Sequence, residues 1–194
     1  TISANAAVER MKPCVIGFSG RIKSGKTTIA SAIADSLGWP CASFGDYVRR
    51  VAVQRNQDPR SRTVLQEIGE SLIGEGWSPF CRDVLTTANW RSGMPVVVDG
   101  IRHVEAVKHL REIVLPLKFL LIYVEIDTAL QLARVRRENL TPQMLADIEE
   151  HSTEVDGSRL PELADLIADG AKSIEETVAE IRRSLLRSDF DDAT

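Results

Sequence analysis

Short apolar runs alternate with longer amphipathic segments along this chain. Five of the runs have the length and apolar content of buried strands, at residues 14–18, 40–43, 96–99, 119–126 and 163–168. The segment 26–37 instead repeats apolar residues at helical spacing, with Ile29, Ile33 and Leu37 on one face and Gly38 as the stop. This alternation predicts an α/β fold with a five-stranded parallel sheet and helices on both faces.

The remaining segments complete this layout. Further helices are predicted at residues 45–54, 61–73, 79–90, 103–113, 128–138, 142–151 and 173–186. Two stretches exceed what a minimal layer of strands and helices needs, residues 45–92 and about 134–160. We interpret both as substrate-covering insertions, with ordinary helical packing as an open alternative for the interior of the first. Short linkers and the absence of low-complexity sequence predict one domain over residues 1–194.

Charge and cysteine content narrow the classes of partner. The chain has 28 Asp and Glu against 24 Lys and Arg, a formal net charge of −4. Binders of nucleic-acid polymers normally carry a basic surface, so that class is disfavoured, while nucleotide-sized ligands stay possible. Three widely spaced cysteines do not suit a disulfide scaffold or a zinc site and indicate a reducing cytosol. Cys14 and Cys41 are expected to pack as small hydrophobes in strands, and Cys81 on a helix.

No stretch of the sequence predicts a membrane segment. The longest apolar run, residues 119–124, is far shorter than the roughly 20 residues that span a bilayer. The residues ahead of the first strand lack the apolar block of a signal peptide and are interpreted as a loose leader. We therefore expect a cytoplasmic protein without a membrane partner, either a monomer or a homodimer.

The strongest local signal is the segment 20–27, GRIKSGKT, which satisfies the spacing G-x-x-x-x-G-K-[ST] between a predicted strand and a predicted helix. Its glycines let the backbone curl so that N–H groups point inward, and the helix adds its dipole. Such a loop holds phosphates; Lys26 would lie against the β- and γ-phosphates, and the Thr27 hydroxyl would bind Mg²⁺. The alternative is an ordinary glycine turn. The residues predicted to bind the nucleotide are Gly20, Lys23, Ser24, Gly25, Lys26, Thr27 and Thr28.

A carboxylate is predicted at the carboxyl end of the third strand. Asp99 follows three valines, and this edge is where open α/β sheets bind ligands. Asp99 there can orient Mg²⁺, although an Asp-Gly turn after a strand is also common. The next residue is Gly100, whereas hydrolytic ATPases often place a glutamate there to activate water. This favours transfer to an organic acceptor.

Two further segments resemble the nucleoside monophosphate kinases. Residues 44–49, FGDYVR, are similar to the family's glycine-aspartate-x-x-arginine segment, whose arginine grips the acceptor phosphate. Residues 99–102, DGIR, resemble the aspartate-glycine-x-x-arginine segment, in a copy one residue shorter. The resemblance implies that Asp46, Arg49 and Arg102 bind the acceptor and that Arg102 is also catalytic.

The resemblance extends to both ends of the predicted nucleotide cleft. Residues 62–69, which include Gln66, resemble a substrate-binding stretch of the deoxynucleoside monophosphate kinases. Arg134, Arg136 and Arg137 fall where the family's lid supplies arginines, and Arg134 and Arg137 share a helix face as the expected catalytic pair. Residues 164–170 resemble the segment that packs on the donor adenine and add Asp169 to the nucleotide site.

Together the matches span about residues 14–186 in the family's order. The resemblance implies a three-layer P-loop fold in which residues 45–92 bind the acceptor and residues from about 134 to 160 form the lid. It also implies phosphoryl transfer from ATP, with Mg²⁺, to a nucleoside or deoxynucleoside monophosphate. His151 and Glu154, within the lid, are interpreted as part of a helix-start motif rather than a metal pair.

Other interpretations stay open. Arg49 and Gln66 also suit a solvated helix face, and Asp46 could simply cap a helix. A kinase of dephospho-coenzyme A, phosphomevalonate or a sugar acid would share the loop and sheet, and for a hydroxyl acceptor Asp46 is the available base. A nucleotide-dependent ATPase or switch is a third possibility. It is disfavoured because the sequence contains no Asn-Lys-x-Asp guanine-reading motif.

Overall fold

A five-stranded parallel sheet lies at the centre of the protein, whose computed structural model describes residues 12–137, 141 and 159–187. Its strands are β1 Cys14–Gly20, β2 Cys41–Ser43, β3 Val96–Ile101, β4 Lys118–Glu125 and β5 Leu166–Asp169. They are arranged in the order β2-β3-β1-β4-β5, and every neighbouring pair is parallel. The predicted parallel sheet is confirmed.

Helices connect the strands and cover the sheet. They are α1 Lys26–Leu37, α2 Phe44–Gln54, α3 Arg62–Glu75, α4 Trp77–Thr86, α5 Val104–Ile113, α6 Thr128–Arg137, α7 Leu160–Leu163 and α8 Ile174–Leu186. The residues of 45–92 thus form α2, α3 and α4. The helix predicted at 142–151 and most of the predicted lid lie outside the described residues.

The apolar strands are buried on both faces, so adjacent residues enter different cores. Val15 packs in one core and Ile16 in the other, as expected for side chains that alternate along a strand. Helices α2 to α5 cover the first face, and α1 and α8 cover the second. The helices that follow β1 and β3 therefore lie on opposite faces. A crevice opens between the carboxyl ends of these two strands, the usual ligand site of such sheets.

Some predicted boundaries and environments differ from those observed. The last strand begins at Leu166 rather than 163, because α7 occupies the preceding residues with Pro161 in its first turn. Cys14 and Cys81 are buried as expected, but Cys41 is exposed. Strand β2 is an edge strand of three residues, so Cys41 lacks the cover that a central strand has. Among the described residues, no helix is long and apolar enough to span a membrane.

Candidate active site

The phosphate loop joins the carboxyl end of β1 to helix α1. Ser24 N–H donates to the Arg21 carbonyl at 3.2 Å, which closes a turn inside the loop. Lys23, in the middle of that turn, has φ 64°, and Gly25, which caps α1, has φ 88°. Lys26 and Thr27 form the first turn of α1, with Thr28 next to them. The Ser24 hydroxyl is buried and has no hydrogen-bond partner among the described residues.

The loop after β5, predicted to lie at the donor base, packs directly on the phosphate loop. A Cβ atom at Gly170 would lie 2.6 Å from the Ser24 carbonyl oxygen and 2.7 Å from that of Glu125. Only glycine allows this approach, because both neighbours are backbone atoms. The Asp169 carboxylate accepts a hydrogen bond from Ala171 N–H at 2.8 Å and shapes the turn, while its side chain is exposed.

Arg134 lies beside the phosphate loop. Its guanidinium donates to the Lys23 carbonyl at 3.0 Å and to the Gly170 carbonyl at 2.8 Å. It thereby joins the phosphate loop to the loop after β5. Arg137, three residues later at the end of α6, is exposed. The two predicted catalytic arginines therefore have different surroundings. The rest of the predicted lid, residues 138–140 and 142–158, lies outside the described residues.

A lysine and a buried carboxylate meet at the mouth of the crevice. The pKa of Lys26 is lowered to about 8, mainly by burial and next by the positive charge of the nearby Arg102, while Asp99 opposes the shift. Asp99 lies at the end of β3 with only 4% of its surface exposed, and its Oδ1 atom has no hydrogen-bond partner among the described residues. A buried carboxylate oxygen without a partner is costly unless a ligand binds it.

The same residues fit the predicted magnesium site. The described residues contain no group of three His, Cys, Asp or Glu that could hold a metal by themselves. Mg²⁺ instead commonly takes one or two protein oxygens together with substrate phosphates and water. The orphaned Asp99 oxygen and the exposed Thr27 hydroxyl at the start of α1 are oxygen donors of that kind.

A β-bulge carries Arg102 into the crevice. Val98 pairs with Gly17 and Ile101 with Ser19, so β3 advances three residues while β1 advances two. Gly100 takes up the extra residue with φ 83°, and the Ser19 hydroxyl donates to the Ile101 carbonyl at 2.8 Å. The bulge thus fixes the backbone immediately before Arg102.

Arg102 is one of three neighbouring arginines. Its pKa is lowered first by burial, then by the charges of Arg62 and Arg49, while Asp99 raises it. Its side chain keeps contact with solvent, although protein surrounds the guanidinium closely enough to lower that pKa. An arginine remains charged despite such a shift. Together with Lys26, the three guanidinium groups therefore concentrate positive charge beside the phosphate loop.

Asp46 and Arg49 form a pair on the first turns of α2. Arg49 Nη1 donates to Asp46 Oδ1 at 2.7 Å, and the two side chains are 55% and 76% exposed, so the pair stays open to an incoming ligand. The Ser43 hydroxyl accepts a hydrogen bond from Asp46 N–H at 3.3 Å. Ser43, rather than Asp46, is therefore the helix cap, which leaves the Asp46 carboxylate for Arg49.

The structure adds Arg62 to the arginines near Arg102, a residue that the sequence motifs do not single out. Arg62 starts α3, which is capped by the Ser61 hydroxyl, and burial lowers its pKa. The predicted residue Gln66 lies one turn later on the same helix and is half-buried. The available sequence signal was the position of Arg62 at the head of the stretch that resembles deoxynucleoside monophosphate kinases.

Aromatic side chains support the acceptor side of the crevice. The Phe80 ring lies 5.2 Å from the Phe44 ring, and the Trp77 ring lies 4.9 Å from that of His103, measured between centroids. The Tyr47 ring also contacts Phe80, and the Tyr47 hydroxyl donates to Asp83 at 3.0 Å. These contacts hold α2 and α4 together beside the residue that follows Arg102.

Comparison with known proteins identifies the fold. No protein-family model matches the chain, and no curated protein matches it significantly. Among solved structures, a gluconokinase from Sinorhizobium meliloti 1021 aligns with a TM-score of 0.61 at 20% identity, over 92% of this chain and 95% of that one. A shikimate kinase from Aquifex aeolicus vf5 aligns with a TM-score of 0.54 at 18% identity, over 88% and 95%. A shikimate kinase from Acinetobacter baumannii, solved in complex with shikimate, aligns with a TM-score of 0.56 at 13% identity, over 96% and 98%. The chain therefore has the fold of P-loop kinases.

Proposed function

We propose that the protein is a small-molecule kinase that transfers the γ-phosphoryl group of ATP to an acceptor already carrying a phosphate, a nucleoside or deoxynucleoside monophosphate. The observation that carries this proposal is the group of three arginines, Arg49, Arg62 and Arg102, next to Lys26. Asp46 and Asp99 offset only part of these four positive charges, so the cations still repel one another until a further anion binds. A doubly charged phosphate supplies that anion.

The donor nucleotide would occupy the phosphate loop. Backbone N–H groups and the amino end of α1 would hold its phosphates, with Lys26 at the β- and γ-phosphates. Thr27 and Asp99 would hold Mg²⁺, which when bound neutralises phosphate charge. Asp169 and Gly170 would border the base.

The transfer step needs charge neutralisation more than proton removal. An ionised oxygen of the acceptor phosphate attacks the γ-phosphorus, and the bond from that phosphorus to the β–γ bridging oxygen breaks. ADP leaves with the electron pair, and no proton is removed because the attacking oxygen is already anionic. Arg102 and Lys26 would stabilise the charge that builds up, and Arg134 and Arg137 would contribute from the lid side.

A second candidate is a kinase of a hydroxylated carboxylic acid. The structurally similar proteins are named for acceptors of this class, gluconate for the gluconokinase and shikimate for the shikimate kinases. In this chain an arginine would bind the carboxylate, and Asp46 would accept the proton of the attacking hydroxyl. The position of Asp46 beside Arg49 is the observation that favours it.

A panel of acceptors measured by ADP formation separates these possibilities. We expect turnover with one or more nucleoside monophosphates, and Asp46→Asn should raise the acceptor KM but retain most of kcat, because no base is needed. Turnover confined to gluconate- or shikimate-like acids, lost in Asp46→Asn, would establish the second candidate. ADP formation at the same rate with and without each acceptor would identify an ATPase instead.

The magnesium assignment has its own measurement. Asp99→Asn removes the charge of the buried carboxylate while keeping its shape, so the Mg²⁺ concentration for half-maximal activity should rise by about tenfold. Asp58→Asn, in the exposed loop before α3, is the matched control. An unchanged Mg²⁺ requirement in Asp99→Asn would remove that residue from the metal site.

A further inference from the structure

Residues 21–23 of the phosphate loop form hydrogen bonds with helix α6. Three consecutive loop residues each pair with one helix residue, and the helix residues are spaced three apart: Arg21 with Thr128, Ile22 with Gln131, and Lys23 with Arg134. The first bond joins two side chains at 3.2 Å, and the other two end on loop carbonyls at 2.9 and 3.0 Å. One face of α6 therefore bonds to three consecutive loop residues, at the side chain of Arg21 and at the backbone carbonyls of Ile22 and Lys23.

The middle of this contact is a turn with an unusual residue. The turn runs from Arg21 to Ser24, with Ile22 and Lys23 as its central residues. Lys23 has φ 64°, in the left-handed region that a type II turn requires at its third position and that glycine normally supplies. A non-glycine residue there favours the type I turn. The two types differ by a flip of the peptide between Ile22 and Lys23.

Gln131 holds that peptide. Its amide Nε2 donates to the Ile22 carbonyl at 2.9 Å, and its side chain is fully buried, so water does not compete for the bond. A trans peptide directs its N–H opposite to its C=O. The Lys23 N–H therefore points away from α6 for as long as Gln131 holds the Ile22 carbonyl.

We infer that Gln131 is a positioning residue for the phosphate loop: it holds the Ile22–Lys23 peptide in the orientation that presents the Lys23 N–H to a bound polyphosphate. The inference rests on the proposed function only in requiring that the loop binds nucleotide. Gln131 touches no substrate and acts through the backbone of Ile22 and Lys23. The hydrogen bond from its amide offsets the conformational cost of a positive φ at Lys23, a cost that a glycine would not have.

A double-mutant cycle on nucleotide affinity tests this role. Gln131→Met keeps the length of the side chain and removes the donor, so the affinity for Mg-ADP, measured by calorimetry, should fall about tenfold, the cost of a left-handed non-glycine residue. In a Lys23→Gly background the glycine adopts the positive φ freely. There the same substitution should weaken binding by less than about threefold.

A control on the same helix separates the turn from general packing. Val135 is buried on α6, so Val135→Ala should lower the melting temperature while leaving Mg-ADP affinity unchanged. Equal loss of affinity for Gln131→Met in both backgrounds, or no loss in either, would overturn the inference. Rescue of folding by Lys23→Gly, should Gln131→Met alone not fold, would support it.

Two outcomes separate this inference from the proposed function. If neither Gln131→Met nor its Lys23→Gly combination folds, Gln131 serves the fold and the positioning role is wrong. If the unaltered protein does not bind Mg-ADP, the proposed function itself fails, and the inference fails with it.

Discussion

The donor side and the acceptor side of the crevice are held by different kinds of interaction. On the donor side, the backbone of the phosphate loop is fixed by Gln131 and Arg134 and by close contact with Gly170. On the acceptor side, charged side chains keep much of their surface open to solvent, as the pair Asp46 and Arg49 within α2 shows.

This difference follows from what each side has to bind. A polyphosphate is recognised by backbone N–H groups whose directions must be set in advance. Rigid support of the loop keeps these groups from having to reorient when the ligand binds. An acceptor anion is recognised by charge, and arginine side chains in contact with solvent can close on it after it arrives. The donor side is therefore defined by a supported backbone and the acceptor side by charged side chains. The two sides should respond differently to substitution.

The largest effect is expected where the two halves meet, at Lys26. Lys26→Ala removes the cation that we propose lies against the β- and γ-phosphates, and it should lower phosphoryl transfer by about 10³-fold, measured as ADP formation with the acceptor established by the panel. The protein should remain folded, because the lysine is held in a dehydrated, positively charged setting that lowers its pKa. Lys118→Ala, at the exposed amino end of β4, is the control and should keep full activity.

The next effect tests the acceptor side alone. Arg102→Ala should lower transfer by about 10²-fold and raise the acceptor KM, while Mg-ADP affinity changes little. Arg91→Ala removes an exposed arginine ahead of the amino end of β3, at the opposite edge of the sheet, and should have no effect. A loss of ADP affinity as large as the loss of transfer would show that the two sides are not separable.

The donor side should respond to shape rather than charge. Gly170→Ala forces a methyl group against the Ser24 and Glu125 carbonyls, which should weaken Mg-ADP binding about tenfold and lower stability by about 2 kcal/mol. The matched control is Gly74→Ala, in helix α3, where a Cβ meets nothing within 4 Å. That change should stabilise the protein slightly, by about 1 kcal/mol. Unchanged ADP affinity in Gly170→Ala would mean that the loop is not rigid.

The smallest expected effect is the uptake of a fraction of a proton when Mg-ADP binds. Because the pKa of Lys26 is about 8 in the folded protein, part of its charge is lost near that pH, and a bound polyphosphate should restore it. Calorimetry at pH 8 in buffers of different ionisation enthalpy should detect proton uptake on Mg-ADP binding that is absent in Lys26→Met. Equal uptake in both proteins would assign the proton elsewhere.

The same shift predicts how stability without ligand depends on pH. Between about pH 8 and the ordinary lysine pKa of 10.5, the unfolded chain holds more protons than the folded one. The destabilising contribution of Lys26 is therefore fully present below pH 8 and is lost as the pH rises toward 10.5. Relative to Lys26→Met, the unaltered protein should gain stability over this interval in denaturant titrations.

Local pattern was enough to predict much of the fold. Helix α1 begins and ends where its apolar spacing and Gly38 indicated, since both signals lie within the helix itself. The parallel sheet with helices on both faces followed from the alternation of apolar runs and amphipathic segments. The spacing of GRIKSGKT likewise predicted the phosphate loop from eight neighbouring residues. The site roles derived from the resemblance stay predictions, as do the location, the oligomeric state and the lid.

What the sequence determined by itself was therefore whatever neighbouring residues decide: most of the strands and helices, the loop and the carboxylate at the end of β3. The tertiary structure alone decided that Gln131 holds a carbonyl 109 positions earlier, that Gly170 lies against Ser24, and that Arg62 joins Arg102. It also left Cys41 exposed, because β2 is at an edge of the sheet. The physical reason is that contacts across the sheet depend on strand order and helix packing, which no local spacing of residues encodes.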